Sequence, residues 1–202
     1  RVKRHSEDPK KFKDEISSSL ARLRSLYRHA LLDHAVFLAG ANKELVGSLW
    51  KTCYYKPIEE YRGKIRKYNA HVAAAKEKEQ AGLSFHGYTV QQLQAHVSSL
   101  MSHLSTFLSD GMVYFQSLVA ELEGVMVDLR TQSSTVDDTD AAVTTVAFQR
   151  RCVYQCLLYL GDLARYKQLH SASLGGRSYE EAERYYERAG MLQPSAGNSQ
   201  NQ

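Results

Sequence analysis

The side chains best suited to holding an anionic group lie near the end of the chain, where Asp162 precedes Arg165 by one turn of a predicted helix. At this spacing the carboxylate can hold the guanidinium in place. A phosphoserine carries close to two negative charges and three acceptor oxygens, so a pocket for it needs fixed cations, and the planar fork of an arginine suits it best. Arg165 faces away from the apolar stripe of its helix, so it is either plain surface or part of a second groove.

Lys56 is the second cation of interest. It lies at the edge of the apolar face of an earlier predicted helix, four residues before Glu60. A lysine in this position commonly forms an ion pair on a solvated flank. In a phosphate pocket it would instead add a point charge beside an arginine. The residues alone leave both roles open.

A basic cluster follows on the same helix and raises the alternative of nucleic-acid binding. Two tyrosines interleave with four cations: Tyr61, Arg62, Lys64, Arg66, Lys67 and Tyr68. Because the cations occupy nearly successive positions, they point around the whole helix rather than along one stripe. This arrangement favours a solvated face.

Enzymatic motifs are missing from the sequence. It contains no glycine-rich phosphate loop, no nucleophile elbow and no carboxylate pair in an apolar context. The histidines fall at helical spacings without the carboxylate or cysteine partners of a metal site. Cys53, Cys152 and Cys156 are expected to be buried small hydrophobes in a reducing compartment. We therefore predict a binding protein that uses no cofactor or metal and is not an enzyme.

The spacing of small and aromatic residues predicts a helical hairpin of the tetratricopeptide type over about 146–194. The first helix carries Leu157, Leu160, Gly161 and Ala164 at its packing positions, and the second carries Ala182, Tyr186, Ala189 and the helix-ending Pro194. Gly161 should let the partner helix approach closely. The connection, Leu169 to Arg177, is longer than in the standard repeat and reads as a loop.

Apolar residues recur at intervals of three and four throughout, which predicts an all-α chain. The expected helices span 8–39, 42–80, 89–130, about 146–169 and 178–192, and the first two should lie antiparallel. Pro57 should kink the second helix, and Asp110-Gly111 should bend or break the third. Residues 131–145 are polar and acidic and read as a mobile loop. No apolar run is long enough for a membrane span.

Charge is distributed unevenly. Residues 1–80 hold 18 basic and 10 acidic groups, whereas residues 81–149 hold 1 basic and 7 acidic groups. The two regions can complement each other internally, or the basic half can line a groove for an anionic ligand. Composition does not choose between these arrangements.

Two signatures in the chain resemble the Smg/Est family of nonsense-mediated mRNA decay adaptors and telomerase-associated factors. The first is Leu49-Trp-Lys-Thr-Cys-Tyr-Tyr-Lys-Pro-Ile58, and the second runs from Leu160-Gly-Asp-Leu-Ala-Arg-Tyr166 through Ala182-Glu-Arg-Tyr-Tyr-Glu-Arg-Ala189 to residues 194–202. The resemblance implies one domain over 1–202, a 14-3-3-like antiparallel bundle that continues into tetratricopeptide-type hairpins. The missing initiator Met and the stop inside the second signature suggest an excised fragment.

The resemblance also implies a phosphopeptide site. Lys56 falls where the family and 14-3-3 proteins place a pocket lysine, and Arg165-Tyr166 falls on their arginine-tyrosine pair, with Tyr166 donating its hydroxyl to the phosphate. Asn201 would hydrogen-bond the peptide backbone, and Asp162 would support Arg165. Where 14-3-3 proteins have a second arginine on the lysine helix, this chain has Gly63 between Arg62 and Lys64, which leaves the third cation unassigned.

By the same resemblance, the chain is expected to be a phosphoserine/phosphothreonine-peptide adaptor for the phosphorylated RNA helicase of nonsense-mediated decay. It would be cytoplasmic with access to the nucleus, and would form a homodimer or pair with a related family member through its N-terminal helices. Two alternatives remain open. One is a tetratricopeptide scaffold that binds without phosphate, and the other is a nucleic-acid-binding, telomerase-associated module that uses the 61–68 cluster.

Overall fold

A computed structural model describes residues 9–33, 35, 44–81, 87–132, 139–170 and 178–192. Within these ranges the chain is all-α, as predicted, and contains no strand. Helix α1 spans Pro9–Asp33, and α2 has three consecutive segments, Leu45–Trp50, Lys51–Tyr55 and Lys56–Gln80. Helices α3, α4 and α5 span Val90–Gln132, Thr139–His170 and Glu180–Leu192. Asn201, Pro194 and the predicted turn at 40–42 lie outside the described residues.

Helices α1 and α2 form the first hairpin. α1 packs against the first two segments of α2 and against α3, and Arg24 of α1 reaches Cys53 of α2. The middle segment of α2, Lys51–Tyr55, is a π-helix, and Pro57 follows in the first turn of the third segment. The kink at Pro57 stays a prediction, and the structure shows a π-helical turn directly before it, which accommodates one extra residue in a helix.

Helix α3 is the central helix, and its N-terminus is capped by side-chain hydrogen bonds. The Thr89 hydroxyl accepts a hydrogen bond from the Gln92 backbone, and the Gln92 side chain accepts one from the Thr89 backbone. The predicted break at Asp110-Gly111 is absent, because α3 continues through both residues. A Cβ atom at Gly111 would lie 3.1 Å from the Tyr54 ring, so this glycine provides room for packing.

Helix α4 begins at Thr139, so the prediction that the loop extends to Thr145 is wrong. Its first turns place Thr145 and Gln149 on the buried side, where they are almost inaccessible to solvent. The apolar pattern misses this region because polar residues occupy the buried positions. The predicted burial of Cys53, Cys152 and Cys156 is confirmed.

Helices α4 and α5 pack as the tetratricopeptide spacing predicts. Ala182 and Ala189 are buried against α4, and the ring of Tyr186 lies directly over Gly161. A Cβ atom at position 161 would lie 2.6 Å from Cζ of that ring, which is closer than real contacts allow. Gly161 therefore sets the distance between the two helices.

Candidate phosphopeptide site

Two aromatic contacts bring α2 alongside α4. Trp50 stacks on Tyr159 with ring centroids 4.6 Å apart and an interplanar angle of 4°. Further along α2, the Arg62 guanidinium lies over the Tyr166 ring at 5.3 Å. On α4 these two contact points enclose Asp162 and Arg165. The first segment of α2 therefore packs on α4 before the residues expected to bind phosphate, and the Arg62 side chain reaches α4 after them.

Arg165 is held by hydrogen bonds rather than left as free surface. Its Nη2 donates to Asp162 Oδ1 at 3.1 Å, and the Tyr186 hydroxyl donates to the same oxygen at 3.0 Å. Burial lowers the pKa of the guanidinium, but hydrogen bonds with Asp162 and Tyr186 outweigh burial and raise the pKa above its ordinary value. Because 41% of the Arg165 side chain is exposed, it can still meet a ligand.

Tyr166 connects the two helices. Its ring is 8% exposed and lies within cation–π distance of two guanidinium groups, 4.7 Å from Arg165 and 5.3 Å from Arg62. Four of the residues singled out from the sequence, Arg62, Asp162, Arg165 and Tyr166, therefore form one cluster between α2 and α4. We refer to them as the arginine cluster.

The residues beside Gly63 differ in their surroundings. Arg62 is paired with Glu59 and directed toward Tyr166, whereas Lys64 is paired with Glu60 on the exposed side. Of the two cations that flank Gly63, Arg62 alone contributes to the arginine cluster.

Lys56 is the first residue of the third segment of α2 and is exposed. The ion pair that its spacing to Glu60 allows is not formed, because Glu60 pairs with Lys64. Within the described ranges Lys56 has no hydrogen bond or ion pair. At about 100° per residue, Lys56 and Arg62 lie roughly 120° apart around the helix, so the structure does not bring Lys56 into the arginine cluster.

Sequence reasoning missed two polar contacts. Tyr186 was assigned a packing role, yet its hydroxyl also binds Asp162. Arg24 was overlooked, although its guanidinium lies 4.6 Å from the Tyr54 ring centroid and bonds the Cys53 carbonyl. The proximity of Asp162 to Gly161, the residue that receives the Tyr186 ring, was the available clue to the first contact.

No group of residues suited to a metal ion occurs in the ranges that the structure describes. Over the same ranges, none of the helices has both the length and the apolar character of a membrane span.

Comparison with known proteins gives one family-model match, to telomerase activating protein Est1, over residues 44–171. The chain is 27% identical over 184 residues to nonsense-mediated mRNA decay factor SMG7 of Arabidopsis thaliana, covering 91% of the chain and 17% of that relative. It is 24% identical to telomere elongation protein est1 of Schizosaccharomyces pombe, covering 95% of the chain and 38% of the relative. It is also 24% identical to telomerase-binding protein EST1A of Danio rerio, covering 90% of the chain and 10% of that relative.

The chain therefore spans less than two fifths of the length of each of these relatives. The region matched by the family model starts at α2 and ends just after α4, so it contains the arginine cluster and Lys56. Because this match covers well over half of the chain, the protein belongs to the Est1 family, which includes decay and telomerase-associated factors.

Proposed function

We propose that this chain is the phosphoserine/phosphothreonine-peptide-binding region of an adaptor protein. The observation that carries the proposal is the convergence of two arginines from different helices, Arg62 of α2 and Arg165 of α4, on the ring of Tyr166. Two guanidinium groups that approach one ring from different helices can both donate N–H groups to a phosphate dianion bound beside that ring.

In the proposed complex, Arg165 and Arg62 donate N–H groups to the phosphate oxygens. A guanidinium has five donors, so Arg165 can keep its bond to Asp162 while binding a ligand. Tyr166 would contribute its hydroxyl, and Lys56, from the start of the third segment of α2, would add a point charge. The three cations outnumber the two nearby carboxylates, Glu59 and Asp162. The site therefore keeps a positive charge that favours a phosphorylated ligand.

Arg62 is the side chain that we assign as the third cation. It stands one position before Gly63 and is 28% exposed, which leaves it accessible although it is paired with Glu59. Its cation–π contact with Tyr166 supports this assignment, whereas Lys64 is paired on the exposed side of α2.

The names of the relatives support a cellular role for the proposed site. One is named as a nonsense-mediated mRNA decay factor and another as a telomerase-binding protein. We propose a decay adaptor without catalytic activity of its own, which recognises the phosphorylated RNA helicase of that process. It would act in the cytoplasm with access to the nucleus, and would form a homodimer or pair with a related family member. Asn201 would hold the peptide backbone.

Direct nucleic-acid binding is the weaker alternative. Two of the four cations at 62–67 are already paired with glutamates, Arg62 with Glu59 and Lys64 with Glu60. Among the described residues, Arg66 and Lys67 are the two cations of this cluster without a carboxylate partner, and two cations are few for a phosphate backbone.

The test is fluorescence anisotropy with a labelled Ser-Gln peptide in phosphorylated and unphosphorylated forms. We expect the wild type to require the phosphate, and Lys56→Glu/Arg165→Glu to abolish binding. The matched control is Lys64→Glu/Arg184→Glu, which reverses two exposed, paired cations outside the arginine cluster. Equal binding of both peptides by the wild type would favour a phosphate-independent scaffold. An equal loss of binding in the control and in Lys56→Glu/Arg165→Glu would favour general electrostatic attraction.

A further inference from the structure

We propose that Tyr186 of α5 is a positioning residue for the phosphate site, acting through Asp162 on Arg165. This inference rests on the proposed function. It assigns a binding role to a helix that so far has only a packing role, and it makes the second helix of the hairpin part of the site.

The geometry joins two helices through one oxygen atom. Asp162 Oδ1 accepts from Arg165 Nη2 at 3.1 Å and from the Tyr186 hydroxyl at 3.0 Å. Asp162 and Arg165 both lie on α4, whereas Tyr186 reaches them from α5. The carboxylate that holds the guanidinium is therefore itself held from a second helix.

The Tyr186 hydroxyl is fixed because its ring is fixed. Gly161 leaves the space that the ring fills, and a Cβ atom there would lie 2.6 and 2.7 Å from Cζ and Cδ1 of the ring. Ala182 and Ala189, on either side of Tyr186 along α5, are buried against α4. A ring confined in this way leaves its hydroxyl little freedom to turn away from Asp162.

This second support is needed because the ion pair alone is a weak restraint. Asp162 and Arg165 are three residues apart on one helix, and their side chains are 31% and 41% exposed. Exposed pairs of this kind are screened by water and lose side-chain entropy on forming. A donor from α5 limits the orientations of the carboxylate, and hence those of the guanidinium that must meet the phosphate.

The protonation state of Tyr186 suits this role. Burial, followed by the nearby Asp162 carboxylate, raises the pKa of its phenol to about 12. The hydroxyl therefore remains a donor throughout the physiological pH range. Because binding and docking are linked, a phosphopeptide that uses Arg165 should also strengthen the packing of α5 on α4.

Tyr186→Phe is the test, because it removes the hydroxyl and keeps the ring over Gly161. Tyr185→Phe is the matched control, since the Tyr185 hydroxyl accepts from Gln116 Nε2 at 2.7 Å and makes no contact with the arginine cluster. We expect Tyr186→Phe to weaken phosphorylated-peptide binding about threefold to tenfold, the range for one lost hydrogen bond. The control and the unphosphorylated peptide should show no change.

A double-mutant cycle separates positioning from stability. Tyr186→Phe should have little further effect in the Asp162→Ala background, where the shared acceptor oxygen is gone, and the Tm values of the two tyrosine variants should match. Equal affinities for Tyr186→Phe and Tyr185→Phe, or a full effect of Tyr186→Phe in the Asp162→Ala background, would overturn the role. If the wild type does not distinguish the two peptides, the proposed function itself fails, and this is known before any variant is measured.

Discussion

The guanidinium of Arg24 donates a hydrogen bond to the backbone carbonyl of Cys53 at 3.3 Å. In an α-helix that carbonyl would accept from the residue four positions later, which is Pro57 and has no N–H. The same guanidinium lies 4.6 Å from the Tyr54 ring centroid and 5.4 Å from that of Phe107. A side chain of α1 therefore supports α2 where its helical pattern changes, one turn before Lys56.

Replacing Arg24 should destabilise the α1–α2 hairpin. We expect Arg24→Leu to lower the free energy of unfolding by about 1–3 kcal/mol, because a charge-assisted hydrogen bond and a partly buried cation–π contact are both lost. Urea denaturation followed by circular dichroism measures the change. Arg22→Leu is the control, since Arg22 is exposed on the same helix. Equal unfolding free energies for the two variants would mean that the contact contributes nothing.

The π-helical segment shows a limit of prediction from local sequence. Pro57 predicts the loss of one backbone hydrogen bond in α2, because a missing N–H is a property of the residue itself. Whether the helix kinks, ends or takes up an extra residue depends on what packs beside it, here Arg24 and the buried Tyr54. The same limit explains Gly111, whose position inside a continuous helix follows from the approach of the Tyr54 ring.

Gly161→Ala and Gly124→Ala should change stability in opposite directions. Both glycines lie inside helices, where alanine is intrinsically favoured by about 1 kcal/mol. Position 124 has open space for a Cβ atom, so we expect Gly124→Ala to raise the melting temperature. At position 161 the new atom would collide with the Tyr186 ring, so we expect Gly161→Ala to cost about 1–3 kcal/mol.

Differential scanning calorimetry of the two alanine variants makes this comparison. A stabilising Gly161→Ala would show that α5 does not dock on α4 at the observed distance. It would also remove the basis for a fixed Tyr186 hydroxyl.

The α4–α5 hairpin was the most predictable part of the fold, because small residues at fixed offsets indicate where two helices pack against each other. Ala182, Ala189 and Gly161 all pack as that pattern requires. The start of α4 was not predictable in this way, since Thr145 and Gln149 fill buried positions without being apolar. The arginine cluster was found in part. Family signatures pointed to Arg165 and Tyr166, but the contact with Arg62 depends on how two helices cross.

Alkaline pH should destabilise the protein through its buried thiol and phenol groups. Burial raises the pKa of the Cys152 thiol from 9.0 to about 12. The unfolded chain therefore loses this proton at a lower pH than the folded chain does. The contribution to stability is complete below pH 9 and is lost as the pH rises toward 12.

The urea concentration at the unfolding midpoint should accordingly be lower at pH 10.5 than at pH 7.5 or 9. Cys152→Ala should reduce this fall, by up to about 1.4 kcal/mol per pH unit in the affected range. The quantity to compare is the change in the free energy of unfolding between pH values, taken for each protein separately. This comparison removes the effect of the cavity that alanine leaves, because that effect does not depend on pH. A slope unchanged by Cys152→Ala would assign the alkaline loss to the other buried thiols and phenols.

Arg62 and Lys64 provide the sharpest test of how the site is assembled, because both are cations of α2 paired with glutamates on either side of Gly63. Arg62 faces the Tyr166 ring, so we expect Arg62→Gln to weaken phosphorylated-peptide binding about tenfold or more, in line with the loss of a charge-assisted hydrogen bond. Lys64→Gln should leave the affinity unchanged.

Lys56→Gln completes the series. Lys56 is exposed, lies outside the arginine cluster and has no partner in the described ranges, so we expect a smaller loss than for Arg62→Gln and one that shrinks as salt rises. Anisotropy titrations at two ionic strengths provide both comparisons. If Lys56→Gln has the larger effect at both salt concentrations, the phosphate lies on the Lys56 face of α2. The contact between Arg62 and Tyr166 would then serve to join the helices and not to bind the ligand.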